Sequence, residues 1–208
     1  MRLGVFGGSF DPVHWGHLQL AAAAQRQLDL HRVLLIPAAC QPLKPHGPRA
    51  SDADRLAMLR LAIEGRPGLA VDALEIDRGG VSYTYQTLEA LRARTPEAEL
   101  FLVVGADSVV DLPRWRKVRR VLELATPLIA GRPGHPLADL APLHGLATPE
   151  RLEAAAAARL EMPPVPISSS DIRRRIAAGQ PWRALTPPAV GDYIERRRLY
   201  RGSLTPPG

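Results

Sequence analysis

The sequence predicts an α/β fold, a Rossmann-like doubly wound parallel sheet with a small helical C-terminal part. Short apolar runs alternate along the chain with stretches of helical periodicity, as in successive βα units. Two of those runs, Arg32–Pro37 and Leu100–Val104, are continuously apolar, the pattern of strands covered on both faces. Polar clusters fall just after apolar runs, at Gly7-Gly8 and at Gly105-Ala-Asp107. Open α/β sheets bind their ligands outside such carboxyl ends.

Leu3–Phe6 is the first strand, closed by Gly7-Gly8, and a helical pattern starts near Trp15 with Leu18, Leu20, Ala21 and Ala24. Arg32–Pro37 is the second strand, and residues 38–51 form a loop punctuated by Pro and Gly that carries Lys44 and His46. Ser51 or Asp52 can cap a helix with Leu56, Leu59 and Ile63 on its apolar face. Leu69–Ile76 reads as a strand, Gly79-Gly80 as a turn, and Thr84–Arg94 as a helix. Leu100–Val104 is the clearest central strand. Helical segments are expected through Leu112 and over Arg114–Leu124, divided at Pro113. Pro127–Ala130 is a further strand, and residues 135–148 are loop-like. Pro149–Leu160 is helical by its alanine content and Pro163–Pro166 is extended. Ser168–Ser170 open a helix through Ile176, and a last helix runs near Ala189–Arg197. Residues 1–201 are expected as one domain and 202–208 as a disordered tail.

Bulk properties narrow the classes. No apolar run approaches the roughly 18 residues of a membrane span, and Phe6-Gly-Gly-Ser-Phe-Asp11 breaks any signal-peptide core. Cys40 is the only cysteine, which excludes an internal disulfide and a thiolate zinc cluster. The expected location is therefore cytoplasmic. Of 27 basic residues only Lys44 and Lys117 are lysines, and the net charge is +6. Such a surface suits small anionic substrates, and no basic-aromatic module points to nucleic acid. Neither a membrane nor a nucleic-acid partner is expected, and homo-oligomer formation stays open.

Five stretches can carry chemistry. Gly7-Gly8 followed by His14 and His17 joins a close-approach turn to two imidazoles on one face of a first helical turn, a phosphate site. The same spacing also fits a plain strand-to-helix turn, and two imidazoles are too few for zinc. Ser168-Ser169-Ser170 with Arg173 reads as a polyphosphate cradle at a helix N-terminus, although capping alone accounts for one serine. Trp115, in Pro113-Arg-Trp-Arg-Lys117, is either a core anchor or a stacking platform. Ser82-Tyr83-Thr84 caps a helix or offers backbone donors to a carboxylate, and Asp107 caps a helix or accepts from a ribose.

Together these stretches resemble the bacterial nicotinate-nucleotide adenylyltransferases of the HxGH nucleotidyltransferase superfamily. Gly7-Gly-Ser-Phe-Asp-Pro-Val-His-Trp-Gly-His17 is similar to the superfamily's N-terminal signature, and Ile167-Ser-Ser-Ser-Asp-Ile-Arg173 to its ISSTxIR motif. The narrower match rests on Ser82–Thr87, Gly105–Ser108, Pro113-Arg-Trp115 and Arg132-Pro-Gly134. Phosphopantetheine adenylyltransferases share the two end motifs but lack the Ser-Tyr-Thr and Pro-x-Trp stretches. In one place the chain departs from the family, where Pro42-Leu-Lys44-Pro-His46 replaces a Pro-His-Lys loop and puts Leu43 at the histidine position.

The resemblance implies transfer of the AMP part of ATP to nicotinate mononucleotide, with Mg²⁺ carried on the ATP phosphates. It implies that His14, His17, Lys44 and Arg173 serve the reaction. ATP would contact Gly7, Gly8, Ser9, Phe10, His14, His17, Gly105, Asp107, Arg132, Ile167, Ser168, Ser169 and Arg173. The mononucleotide would contact Gly8, Ser9, Lys44, Tyr83, Thr84, Trp115 and Arg116, with Trp115 stacked on its ring.

Overall fold

The computed structural model describes residues 1–42, 47–105, 111–131, 140–158, 160–163 and 165–201. Six strands, β1 (Arg2–Gly8), β2 (Arg32–Pro37), β3 (Leu69–Val71), β4 (Glu99–Gly105), β5 (Ala125–Gly131) and β6 (Leu160–Glu161), form one sheet in the order β3-β2-β1-β4-β5-β6. Every neighbouring pair is parallel. The described helices are α1 (Trp15–Gln27), α2 (Asp52–Ile63), α3 (Leu74–Arg78), α4 (Thr84–Arg94), α5 (Val118–Leu124), α6 (Pro149–Ala157), α7 (Ser169–Ala177) and α8 (Pro188–Arg196). This is the doubly wound arrangement that the sequence predicts.

The strand order reverses between β1 and β4. Their ladder runs from Arg2 opposite Glu99 to Val5 opposite Leu102 and stops there. Meanwhile β1 stays paired with β2 out to Gly8, and β4 with β5 out to Gly105. The two central strands therefore part over their last three residues, which opens the crevice at the topological switch point.

Alternation along β4 shows how the sheet is covered on both faces. Leu100, Leu102 and Val104 belong to a core with Leu88 and Leu91 of α4 and Val121 and Leu122 of α5. Phe101 and Val103 face the other way, into a core with Leu18 of α1, Met58 and Leu59 of α2, and Val190 and Ile194 of α8. A clasp holds α8 on α2: the buried Asp54 accepts from Ser51 Oγ at 2.7 Å, Tyr193 Oη at 2.9 Å and Arg197 Nε at 3.1 Å.

Three expected elements differ. The strand expected over Leu69–Ile76 ends at Val71, because the Asp72 carboxylate accepts from Leu74 N at 3.0 Å and turns the chain into α3. The helix expected over Arg114–Leu124 begins only at Val118. Leu112–Arg114 is a 3₁₀ turn that contains Pro113, and Lys117 sits at φ 53, outside any helix. Finally, α6 stops at Ala157, and Leu160, expected as its last residue, instead pairs with Ala130 as an edge strand and is 1% exposed. The 202–208 tail lies outside the described residues.

Leu128 lies in the middle of β5 with no exposed surface. Leu128→Ala should lower the unfolding free energy by about 2–5 kcal/mol, read from urea denaturation, as for other buried leucine truncations.

Candidate active site

The first helix begins where the chain turns out of β1, and its first turn carries the two histidines. His14 is the N-cap residue, and its backbone N–H donates to His17 Nδ1 at 3.3 Å. With Nδ1 accepting, the ring hydrogen of His17 lies on Nε2. The two imidazoles stack with centroids 3.7 Å apart and planes 24° from parallel. Gly16 makes this possible, since a Cβ there would stand 3.1 Å from His14 Cε1 and Nδ1. Phe10 supports the other side: its ring meets His17 edge-on at 4.9 Å and lies under Gly8, where a Cβ would come within 3.0 Å of it. Phe10 reaches this place from φ 48 and is 1% exposed.

His14 is 5% exposed, and its Nδ1 has no hydrogen-bond partner. Burial lowers its pKa from 6.5 to about 4, so the ring is neutral at pH 7. A neutral His14 imidazole beneath a glycine turn meets an arriving anion as an oriented dipole rather than as fixed charge.

The C-terminal motif is brought to this turn by α7. Ser168 caps the helix, accepting from Asp171 N at 3.1 Å. Ser169 Oγ donates to the Pro12 carbonyl at 2.9 Å, and Arg173 Nη2 donates to Ser170 Oγ at 3.2 Å. The three serines read in the sequence as one cradle thus divide their work between capping the helix, docking it and steadying Arg173. Arg173 Nη1 also donates to the Asp11 carbonyl at 2.6 Å and stands 3.6 Å from its carboxylate.

Asp11 is the residue the sequence reading missed. It is 2% exposed, and its carboxylate also accepts from Arg49 N at 2.7 Å, Ala50 N at 3.0 Å and Tyr200 Oη at 2.7 Å. Burial, then the Asp11 carboxylate, push the Tyr200 phenol well above the ordinary tyrosine range. Arg55 is a second omission. It has no exposed surface and donates through Nη1 to the Ser9 carbonyl at 2.8 Å, fixing the loop from below. The only sequence signal for either was a charged residue inside or beside an apolar motif.

Two cavities open at the carboxyl ends of β1 and β4. The first, of about 600 Å³, is lined by Gly7, Gly8, Ser9, Phe10, His14, His17, Gly105, Ile167, Ser168, Ser169 and Arg173. These are all the described residues that the sequence assigned to ATP. The second, of about 590 Å³, is lined by Gly8, Tyr83, Thr84, Trp115 and Arg116 of the residues assigned to the mononucleotide. Ser9, assigned to both, lines only the first. Phe6, Gly7, Gly8, Gln41 and Gly105 line both, so the cavities meet over the parted strands. Lys44, Asp107 and Arg132, with Leu43 and His46, lie outside the described residues.

Trp115 packs against the α4–α5 core, the first of its two sequence readings, and also lines the second cavity. The Arg116 guanidinium lies 4.9 Å from the centroid of the Tyr83 ring, walling one side. Ser82 does not cap α4; its hydroxyl accepts from Ala39 N at 3.0 Å, holding the 38–42 segment against the helix start. Among the described residues no group of three or more His, Cys, Asp or Glu side chains could hold a metal ion. No helix among them is long and apolar enough to cross a membrane.

Residues 5–175 match the cytidylyltransferase-like family model. A Rhodopirellula baltica protein named "Probable nicotinate-nucleotide adenylyltransferase" is 43% identical over 96% of this chain and 93% of its own. A Roseiflexus castenholzii protein of the same name is 48% identical over 96% and 98%. The fold also matches the structure of Plasmodium falciparum nicotinic acid mononucleotide adenylyltransferase complexed with NaAD, with a TM-score of 0.76, 18% identity, and coverage of 98% of this chain and 99% of that one.

His14 gives the site a measurable pH signature. With a folded pKa near 4 against 6.5 when unfolded, it takes up a proton on unfolding between those values. Its contribution is therefore lost as pH falls from 6.5 towards 4 and is constant above 6.5, by at most about 1.4 kcal/mol for each pH unit. Urea midpoints at pH 5 and 7.5 should differ more for the wild type than for His14→Gln. Equal differences would place the His14 ring in water.

Proposed function

This chain belongs to the nicotinate-nucleotide adenylyltransferases, and from that premise we propose that it transfers the adenylyl group of ATP to nicotinate mononucleotide, releasing pyrophosphate and forming deamido-NAD. The observation that carries the reading is the pair of cavities that meet at Gly7, Gly8 and Gly105. One is walled by the histidine pair and Arg173, and the other by an aromatic and a helix N-terminus. Two nucleotides laid in them would bring their phosphates together over the parted strands.

The chemistry asks little of the protein in protons. A phosphate oxygen of the mononucleotide, already anionic at neutral pH, attacks the α-phosphorus. One P–O bond forms there as the bond to the β-phosphate bridge breaks, and pyrophosphate leaves with the electron pair. Catalysis is then positioning and charge stabilisation. In this reading His17, with its hydrogen on Nε2, and the stacked His14 donate to oxygens that gain charge at the α-phosphorus. Arg173 and the N-terminus of α7 at Ser168 and Ser169 take the β- and γ-phosphates, and Lys44 serves the reaction from the phosphate of the mononucleotide. Asp107 and Arg132 complete the adenosine side, with Gly105, and the 7–10 turn approaches the phosphates through its backbone.

In the second cavity Trp115 stacks on the pyridine ring, and backbone N–H groups at Thr84 and Arg116 take the carboxylate, favouring the acid over the amide. The residues present fit Mg²⁺ carried by the substrate. Among the described residues the first cavity offers one carboxylate, Asp11, whose oxygens are already occupied by Arg49, Ala50, Arg173 and Tyr200. An ion would take its oxygens from phosphates and water, the usual habit of Mg²⁺ at nucleotides, where it neutralises charge on the leaving group.

Purified protein given ATP and Mg²⁺ should release pyrophosphate with nicotinate mononucleotide and much less with nicotinamide mononucleotide or phosphopantetheine. A preference for phosphopantetheine would overturn the substrate. No release with any of the three would leave a nucleotide-sensing module as the better reading.

His17→Ala should reduce kcat by about 10²–10³ in the same assay, the cost of one oxyanion donor, with an unaltered circular dichroism spectrum. Full turnover in that variant would remove His17 from the reaction.

A further inference from the structure

The second cavity contains a charge that its proposed ligand does not obviously call for. Glu75, on α3, lines it together with Thr84, Thr87, Trp115 and Arg116. Only 5% of Glu75 is exposed, and one carboxylate oxygen, Oε1, accepts from Thr87 Oγ1 at 2.6 Å. Among the described residues no cation pairs with it. Asp111, the other acid on the wall, is half-exposed and already faces Arg114 at 3.2 Å. Arg116 stands over the Tyr83 ring, with Nη1 3.3 Å from its hydroxyl.

A buried carboxylate with a single neutral donor is costly unless a countercharge arrives. A cavity built to take an anionic ring substituent should avoid such a group altogether. The conflict disappears if the ligand carries a cation as well. The pyridine ring of a mononucleotide is quaternised at its ring nitrogen by the ribose, so nicotinate mononucleotide presents a pyridinium and a carboxylate on one ring.

We propose that Glu75 is a specificity-determining residue that recognises the cationic pyridinium ring, while the N-terminus of α4 and the Arg116 backbone take the carboxylate. Thr87, 2% exposed, holds the acid in place by its hydroxyl. The pocket then reads the ring as a zwitterion and discriminates against rings of the same shape that lack the positive nitrogen. This rests on the nicotinate-nucleotide reading above.

Two ligands separate the charge from everything else: nicotinate mononucleotide and its 1,4-dihydro form, which keeps the phosphate, ribose and carboxylate but has a neutral ring nitrogen. Dissociation constants from calorimetry, taken with wild type, Glu75→Gln and Glu75→Asp, give the ratio between them. Wild type should favour the pyridinium form by about tenfold or more, the scale of a charged partner lost from a buried pair. Glu75→Gln should bring the ratio close to that set by ring shape alone, chiefly by weakening the pyridinium form, and Glu75→Asp should restore part of it. The KM for ATP should stay unchanged in both variants, which a merely structural role for Glu75 would not predict. An unchanged ratio in Glu75→Gln, or an equal loss for both ligands, overturns the proposal. Failure of the wild type to bind nicotinate mononucleotide at all would instead overturn the substrate reading, and the two failures are distinct.

Discussion

The Asp11 carboxylate is the joint on which the first cavity hangs. It ties four segments that are far apart in sequence: its own turn, the 49–50 backbone just before α2, Arg173 on α7, and Tyr200 beyond α8. A carboxylate 2% exposed survives only because backbone N–H groups, a phenol and a guanidinium occupy it. The dependence is mutual. Without Asp11, Arg173 would lose its orientation, and without Arg173 a buried charge would lose its cation. Tyr200 adds the C-terminus to this arrangement. Asp54 repeats the device in the first turn of α2, so α8 is fastened at Tyr193 and, just past its end, at Arg197, while the chain beyond reaches the site.

Above this joint the histidine pair depends on packing rather than on charge. Gly16 and Gly8 are glycines because imidazole and phenyl rings occupy the space a Cβ would take. Phe10, read in the sequence as an ATP contact, contributes mainly as the wedge between β1 and His17. A spacing of glycine, phenylalanine, aspartate and two histidines is thus one packed object. Its signature is recognisable in sequence because its members are close along the chain and pack on one another.

The sheet was legible because its strands are buried on both faces: β2 and α4 occur over the residues that apolar continuity and helical period mark out. Failures came where one polar side chain overrode the local pattern. Asp72 ended β3 by hydrogen-bonding Leu74 N, and Lys117 adopted a left-handed conformation that delayed α5. The edge strand β6 has only two residues, too few for any period to show. The residues that line the first cavity were legible as motifs, since they are contiguous. Asp11, Arg55 and Glu75 were not, since their meaning lies in partners at sequence distances of up to 189 residues and in burial that no spacing reveals.

The electrostatics of the two cavities follow one logic. A reaction that moves charge between phosphates gains from donors oriented before the substrate arrives, and gains nothing from holding substrate and transition state equally tightly. Arg173 is a permanent cation already braced by Asp11 and Ser170, so its fork is fixed and part of its charge is balanced internally. A buried His14 that stays neutral at pH 7 adds a dipole and no fixed charge. An unbraced cluster of cations would bind triphosphate more strongly in the ground state and release pyrophosphate more slowly. In this site the positive charge is restrained and its geometry is fixed by a buried acid, and in the proposed reaction two phosphates would approach one another where the two cavities meet at Gly7, Gly8 and Gly105.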